Sequence, residues 1–370
     1  MEVKRVPRAE IGNPISEWLG HRIFPTVRLD ASSFQGDAFG ECPFLSEALK
    51  RRTECVKKGN SFGVCTVSAS SNGPRQDWLA CPYRVISSDL VRSACARIFG
   101  DQDAPAPVPA TLLQDKRALG RFRRGIQEGG AGYVYFQARL GGEISVPATS
   151  RSPEIAFDAT IAEVRNEGGR FVLGRYGILE IQTMDFHGSY RQAVENLKGA
   201  HRLHESNLAA ELQKNPRWAA AGIEGPNIAN VFKRTFYQVM IKFQLAAQGR
   251  VAGTVLALPQ AVWDSWQPFL GAPSIDSVGA GLHRIRATEG SSVTSRRNAF
   301  ITVFDLDSSA TESISPVQIR MHIQVDAEQL AHHALEIVPA GILQSLSDSD
   351  SILERIRERL MTFWPDLESA

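Results

Sequence analysis

Two stretches of the chain alternate with the period of a β-strand, and a turn lies between them. In the first, Ala156, Asp158 and Thr160 fall on one face while Phe157, Ala159 and Ile161 take the other. In the second, Ile178, Glu180 and Gln182 oppose Leu179 and Ile181. Asn166-Glu167-Gly168-Gly169 between them has the residues of a tight turn, so the pattern predicts an antiparallel hairpin with Asp158 beside Glu180. Further strands are expected over residues 132–137, 251–258, 299–306 and 317–325. Helical periodicity marks 89–99, 114–128, 189–213, 227–247, a short segment around Trp263 and Trp266, and 351–363. The 89–99 helix has Ser87 or Ser88 as its cap and Gly100 as its stop. Helices on both faces of a mixed sheet make an α/β or α+β core. Residues 20–85 instead carry turn residues and little periodicity, which fits a small stapled module. Asp103-Ala104-Pro105-Ala106-Pro107-Val108-Pro109-Ala110 reads as a stiff linker that divides the chain into 1–100 and 101–370.

Composition narrows the classes. A chain of 370 residues can bury a large core, and 43% hydrophobic with 8% aromatic residues is ordinary for a globular protein. The formal charge of +1 excludes a general polyanion binder, so any nucleic-acid surface is a local basic patch. Residues 1–10 have no apolar run, and 251–258 is too short to span a bilayer. A cytoplasmic protein without membrane contact is the expectation.

Cys42, Cys55, Cys65 and Cys81 are separated by twelve, nine and fifteen residues, and Cys95 follows them. Clustered thiols in a reducing compartment suggest a metal site, and four thiolates suit tetrahedral zinc or a single iron. No Cys-x-x-Cys pair occurs, so small buried core residues are the alternative. Cys95 lies on the apolar side of the 89–99 helix and is expected to be a packed thiol. Glu180 is an acid inside an apolar run, where an uncompensated charge costs several kcal/mol. Either Mg2+ shared with Asp158 or an ion pair with Arg170 or Arg175 would supply the compensation.

Longer words add a family likeness. They include Gly20-His21-Arg22, Cys42-Pro43-Phe44-Leu45, Gly63-Val64-Cys65, Asp77-Trp78-Leu79-Ala80-Cys81-Pro82, Tyr135-Phe136-Gln137 and Leu140-Gly141-Gly142-Glu143. Ser152-Pro153-Glu154, Phe157-Asp158 and Ala162-Glu163-Val164 follow. The longest are Arg175-Tyr176-Gly177-Ile178-Leu179-Glu180-Ile181-Gln182-Thr183-Met184-Asp185-Phe186-His187-Gly188-Ser189-Tyr190, and Glu224-Gly225-Pro226-Asn227 continuing into Asn230-Val231-Phe232-Lys233-Arg234-Thr235-Phe236-Tyr237-Gln238. In this order, over roughly residues 20–245, they resemble the NotI-type restriction endonucleases of the PD-(D/E)xK nuclease superfamily.

The resemblance implies a PD-(D/E)xK core, a mixed sheet flanked by helices, with an N-terminal four-cysteine module. It implies that Asp158 and Glu180 hold catalytic Mg2+, and that Gln182 stands where the superfamily carries lysine. Glutamine can orient by hydrogen bonds but brings no charge. Glu143 corresponds to a further acid for a second metal or for water, and Glu154 is a weaker candidate. Cys42, Cys55, Cys65 and Cys81 match a structural iron cage, with zinc as the other option. The implied activity is type II cleavage of a GC-rich palindrome in double-stranded DNA by a homodimer, with a cognate DNA methyltransferase protecting host DNA. Lys233, Arg234, Arg175 and Arg121, with Arg123 and Arg124, are the candidates for DNA contact. His187, beside the active strand, is a candidate for supporting the metal ligands or for contacting DNA, or else a structural histidine. A non-catalytic DNA-binding protein on a decayed nuclease core is the other reading, and Gln182 favours it.

Overall fold

The computed structural model describes residues 11–364 except 72, 87–88, 247–248, 287–297, 308, 310 and 348–350. Residues 1–10, the cap at Ser87 or Ser88, and residues 365–370 lie outside the described residues.

The region that looked aperiodic has a sheet of its own. Strands β1 (Ile15–Trp18), β2 (His21–Arg22), β3 (Val64–Ala69) and β4 (Gln76–Leu79) pair antiparallel in the order β2-β1-β3-β4, with helix α1 (Pro43–Leu49) beside them. β1 and β3 are buried along their whole length. A short strand covered on both faces shows no alternation, which is why the sequence pattern hid it.

Helix α2 (Asp89–Phe99), strand β5 (Val108–Pro109), helix α3 (Lys116–Gly129) and strand β6 (Ala131–Phe136) follow. Then come the short strands β7 (Ile144–Val146) and β8 (Ile155–Phe157), and the long hairpin β9 (Ala159–Glu167) and β10 (Arg170–Ile181). Strand β11 (Phe186–Gly188), helices α4 (Arg191–His204) and α5 (Leu208–Lys214), and strand β12 (Ile223–Pro226) lead to helix α6 (Ile228–Leu245). Strand β13 (Val251–Pro259), helix α7 (Gln260–Trp266) and strands β14 (Ile275–Gly279), β15 (Leu282–Ile285), β16 (Ala299–Leu306) and β17 (Val317–Val325) complete the sheet. Helices α8 (Ala327–His332), α9 (Val338–Ser347) and α10 (Ser351–Met361) close the chain.

Nine of these strands form one mixed sheet in the order β14-β15-β17-β16-β13-β10-β9-β6-β5. β13 lies parallel to β10 on one side and to β16 on the other, and all nine of its residues are buried. α2 packs on the face of β10 that carries Gly177. A Cβ there would come within 2.2 Å of Ile98, so the close approach of the helix requires glycine. α6 and α7 cover other parts of the sheet.

The apolar core does not stop at residue 100. One buried cluster runs from Ile15, Trp18 and Leu45 through Leu90, Cys95 and Ile161 to Val255 and Phe304. The proline-rich 103–110 segment is correspondingly tied down: Ala104 is buried, and Val108 and Pro109 pair parallel with Val134 and Tyr135 as the sheet's last strand. A proline has no N–H to donate, and an edge strand tolerates that. The helix expected over 189–213 is two helices with a break at Glu205–Asn207, where Ser206 and Asn207 favour local turns over helix. Among the described residues, no helix is long and apolar enough to cross a membrane.

Candidate active site

The hairpin forms in the register that its alternation predicts. Leu179 pairs with Ala159 and Ile178 with Thr160, so Asp158, just ahead of β9, lies across from Glu180. The two acids interlock through the backbone. The Asp158 N–H donates to Glu180 Oε1 at 3.2 Å, and the Ile181 N–H donates to Asp158 Oδ2 at 2.9 Å. Asp158 is exposed at the mouth, whereas Glu180 is only 7% exposed.

Helix α6 grips this strand at two points. Thr235 Oγ1 donates to Gln182 Oε1 at 2.5 Å, and Lys242 Nζ donates to Glu180 Oε2 at 2.6 Å. The second Gln182 polar atom, Nε2, donates to the Thr183 carbonyl. The partner of Glu180 is therefore Lys242, not Arg170 or Arg175. Arg175 instead lies 3.8 Å from Glu163. The sequence reading missed Lys242, although its signal was present: Val231, Thr235, Val239 and Lys242 fall at the spacing of one buried helix face.

Asp158, Glu180, Gln182, Thr183, Arg234 and Thr235 line a cleft of about 170 Å³, with Pro82 among its other walls. Pro82 follows Cys81 directly, and the Met184 N–H donates to the Leu79 carbonyl at 2.7 Å, so the cysteine region abuts the cleft. A larger cavity of about 890 Å³ lies elsewhere. Its wall carries Asp77, Asp264 and Asp305 against the single Arg75, the wrong sign for a phosphate backbone.

Burial is the main force on Glu180, and with the nearby Asp158 it pushes the carboxyl up to about 8 against the pull of Lys242. This folded-state value lies above the unfolded one, so from about pH 4.5 to about pH 8 the native state holds the extra proton, and metal-free stability falls as pH rises through that window. A cation bound at the carboxylates would take the place of that proton. Melting curves in Mg2+ and in EDTA should therefore separate further at about pH 8.5 than at about pH 6. An equal separation at both values would mean that no cation binds this pair.

The remaining candidates are placed as follows. β7 pairs with β8 with Ile144 opposite Phe157, a register that, extended by one residue, sets exposed Glu143 opposite Asp158. Glu154 is exposed and accepts from Ser145 Oγ at 2.5 Å. Arg234 pairs with Asp185 at 2.8 Å on the cleft wall. Lys233 on α6 and Arg121 on α3 are exposed, and neither lines the cleft. His187 is exposed on β11 and so is not a core histidine.

Cys42 caps α1, Cys55 follows in the next loop, Cys65 lies on β3 and Cys81 follows β4. All four are buried and free of disulfides. Burial pushes the Cys42 thiol up to about 12 and raises Cys65 and Cys81 as well. Each of these three also feels the charge of other members of the set, which makes them a mutual neighbourhood. Their chemistry fits a soft or borderline cation, which favours thiolate where burial alone opposes it. Among the described residues, however, no three His, Cys, Asp or Glu side chains are arranged to hold a metal ion. Cys95 is fully buried in α2, a packed thiol as expected. Comparison of the chain with protein-family models and with curated proteins finds no match.

Proposed function

We propose that this chain is a Mg2+-dependent type II restriction endonuclease that cuts a GC-rich palindrome in double-stranded DNA as a homodimer. The observation that carries the reading is the interlocked Asp158–Glu180 pair in a cleft with Gln182, on the hairpin of a mixed sheet flanked by helices. The resemblance to NotI-type enzymes in the same sequence words supports it.

Two carboxylates suit Mg2+, which is usually held by one or two of them together with substrate phosphates. Asp158 and Glu180 would hold it, and Glu143 would serve a second ion or orient water. Bound there, the ion supplies charge neutralisation at the phosphate and a lower pKa for water. The protein's own groups do the rest. Gln182 is fixed at both polar atoms, and its second amide hydrogen can orient water or a phosphate oxygen. Water oxygen bonds to phosphorus as the bond to the 3′ oxygen breaks, leaving a 5′-phosphate and a 3′-hydroxyl. Arg234, at the rim, and the exposed Arg121, Lys233 and half-buried Arg175 are the DNA-facing candidates.

Cys42, Cys55, Cys65 and Cys81 would hold a single iron, or zinc, as a structural staple. Cys55→Ser is then expected to lower both the metal content found by elemental analysis and the melting temperature, whereas at a simple core thiol the buried hydroxyl would lower the melting temperature with no metal lost. For the homodimer, Leu353, Ile356 and Leu360 lie exposed on α10 at 3–4 spacing, between 43% and 69%, with both charge signs beside them in Glu354, Arg357 and Glu358. That pattern suits a second copy of the chain. A methyltransferase guarding the same DNA site completes the proposal.

The alternative, a DNA-binding protein without catalysis, is favoured by one observation: both Glu180 oxygens already accept hydrogen bonds. Incubation with plasmid and Mg2+ separates the two. Discrete fragments support the nuclease, a gel shift without cutting supports the binder, and neither result would remove both.

A further inference from the structure

Lys242 is the one lysine among the buried polar residues described, at 2% exposure. Its Nζ donates to Glu180 Oε2 at 2.6 Å and lies 5.9 Å from the centre of the Phe157 ring. It is not part of the cleft wall, so it sits behind Glu180 and does not face a substrate. Its backbone is fixed as well, because the Lys242 carbonyl accepts from Thr254 Oγ1 on β13 at 3.1 Å. With Thr235 on Gln182 and Lys242 on Glu180, α6 runs against the direction of β10 and fixes both functional side chains from one face.

The two oxygens of Glu180 are thereby made unequal. Oε2 is engaged by an ammonium on the interior side, while Oε1 receives only a 3.2 Å backbone contact from Asp158. We infer that Lys242 is a positioning residue that confines Glu180 to a single cation-facing oxygen and so sets the preference of the carboxylate pair for Mg2+ over Ca2+. The inference rests on the reading of Asp158 and Glu180 as a cation site. Mg2+ accepts six ligands in near-octahedral order, whereas Ca2+ takes six to eight oxygens and readily accepts both oxygens of one carboxylate. An oxygen locked to an ammonium cannot join the second arrangement. Release of that oxygen opens a bidentate mode that favours the larger ion.

The test uses the full chain, with MgCl2 and CaCl2 titrated separately and melting temperature read against an EDTA reference. In Lys242→Met, the affinity for Ca2+ relative to Mg2+ should rise about tenfold or more over the unsubstituted protein, the scale on which groups behind metal ligands act. Lys242→Arg keeps a cation on Oε2 and should restore the original ratio. Should Lys242→Met fail to fold, Lys242→Leu also removes the ammonium without supplying a donor to Oε2 and has the same expected direction. A lower melting temperature with an unchanged ion ratio would make Lys242 a plain structural counter-ion and overturn the inference. If neither ion raises the melting temperature of the unsubstituted protein, the cation-site reading fails, and the inference falls with it.

Discussion

Glu180→Ala is expected to abolish cleavage, with a rate loss of about a thousandfold or more, while DNA binding measured in EDTA stays nearly intact. The magnitude follows from the several kcal/mol that a bound metal contributes to charge stabilisation, at tenfold in rate per 1.36 kcal/mol. The geometry adds a complication to this experiment. Alanine leaves the Lys242 ammonium buried without its acceptor, and above about pH 8, where Glu180 is a carboxylate, removal of one member of a buried pair costs about 3–5 kcal/mol. Glu180→Gln avoids much of this, since an amide oxygen can still accept from Lys242 while the ligand charge is gone. Both variants should lose cleavage, and Glu180→Ala should melt at the lower temperature. Plasmid digestion with melting curves on the same samples separates the two effects. Normal cutting by a well-folded Glu180→Gln protein would remove Glu180 from the site.

The hairpin was legible because its signals are local. Period-two alternation sets which residues share a face, so Asp158 and Glu180 could be placed on one face without tertiary knowledge, but the turn alone does not fix their pairing: a shift of one residue between Leu173 and Tyr176 is what brings Glu180, and not Leu179, across from Asp158. The long central strands of the main sheet were legible from their apolar runs, of which 251–258 is nine-residue β13 almost to its ends. Lys242 was not found, because sequence fixes only its helix face, and only the packing of α6 on β10 determines which acid it meets. The N-terminal strands failed for the opposite reason: Val64–Ala69 is buried throughout and has no alternation to read. The 103–110 segment misled because prolines suggest a free linker, while the parallel pairing of Val108 with Val134 is a long-range fact.

Arg84→Met is expected to destabilise the protein by about 3–5 kcal/mol, the cost of stranding a buried charge. Glu17 on β1 is fully buried, and Arg84 grips it with two bonds, Nε to Oε2 at 2.6 Å and Nη2 to Oε1 at 2.9 Å. Thr66 on β3 donates to the same carboxylate at 3.2 Å. Arg22 lies 3.7 Å away, bonds Asp77 at 2.6 Å and reaches Ser315 Oγ at 2.8 Å, while Arg84 also donates to the Ser315 carbonyl. The network thus ties β1, β2, β3 and β4 to the segment between β16 and β17, through charges that no longer-range feature of the sequence announced. Burial alone would raise the Glu17 carboxyl, but the Arg84 and Arg22 guanidiniums outweigh it and hold the group below its ordinary value. A depressed carboxylate contributes stability above its unfolded value of about 4.5 and loses that contribution as pH falls. The gap between the unsubstituted protein and Arg84→Met should therefore be full near neutrality and narrow below about pH 4.5. Replacing both partners, Glu17→Met with Arg84→Met, should cost less than Arg84→Met alone, because no charge is left buried without its partner. Chemical denaturation of the three proteins at two pH values measures all of this. A single variant within about 1 kcal/mol of the parent, the range of an exposed ion pair, would show that the network does not hold the N-terminal sheet in place.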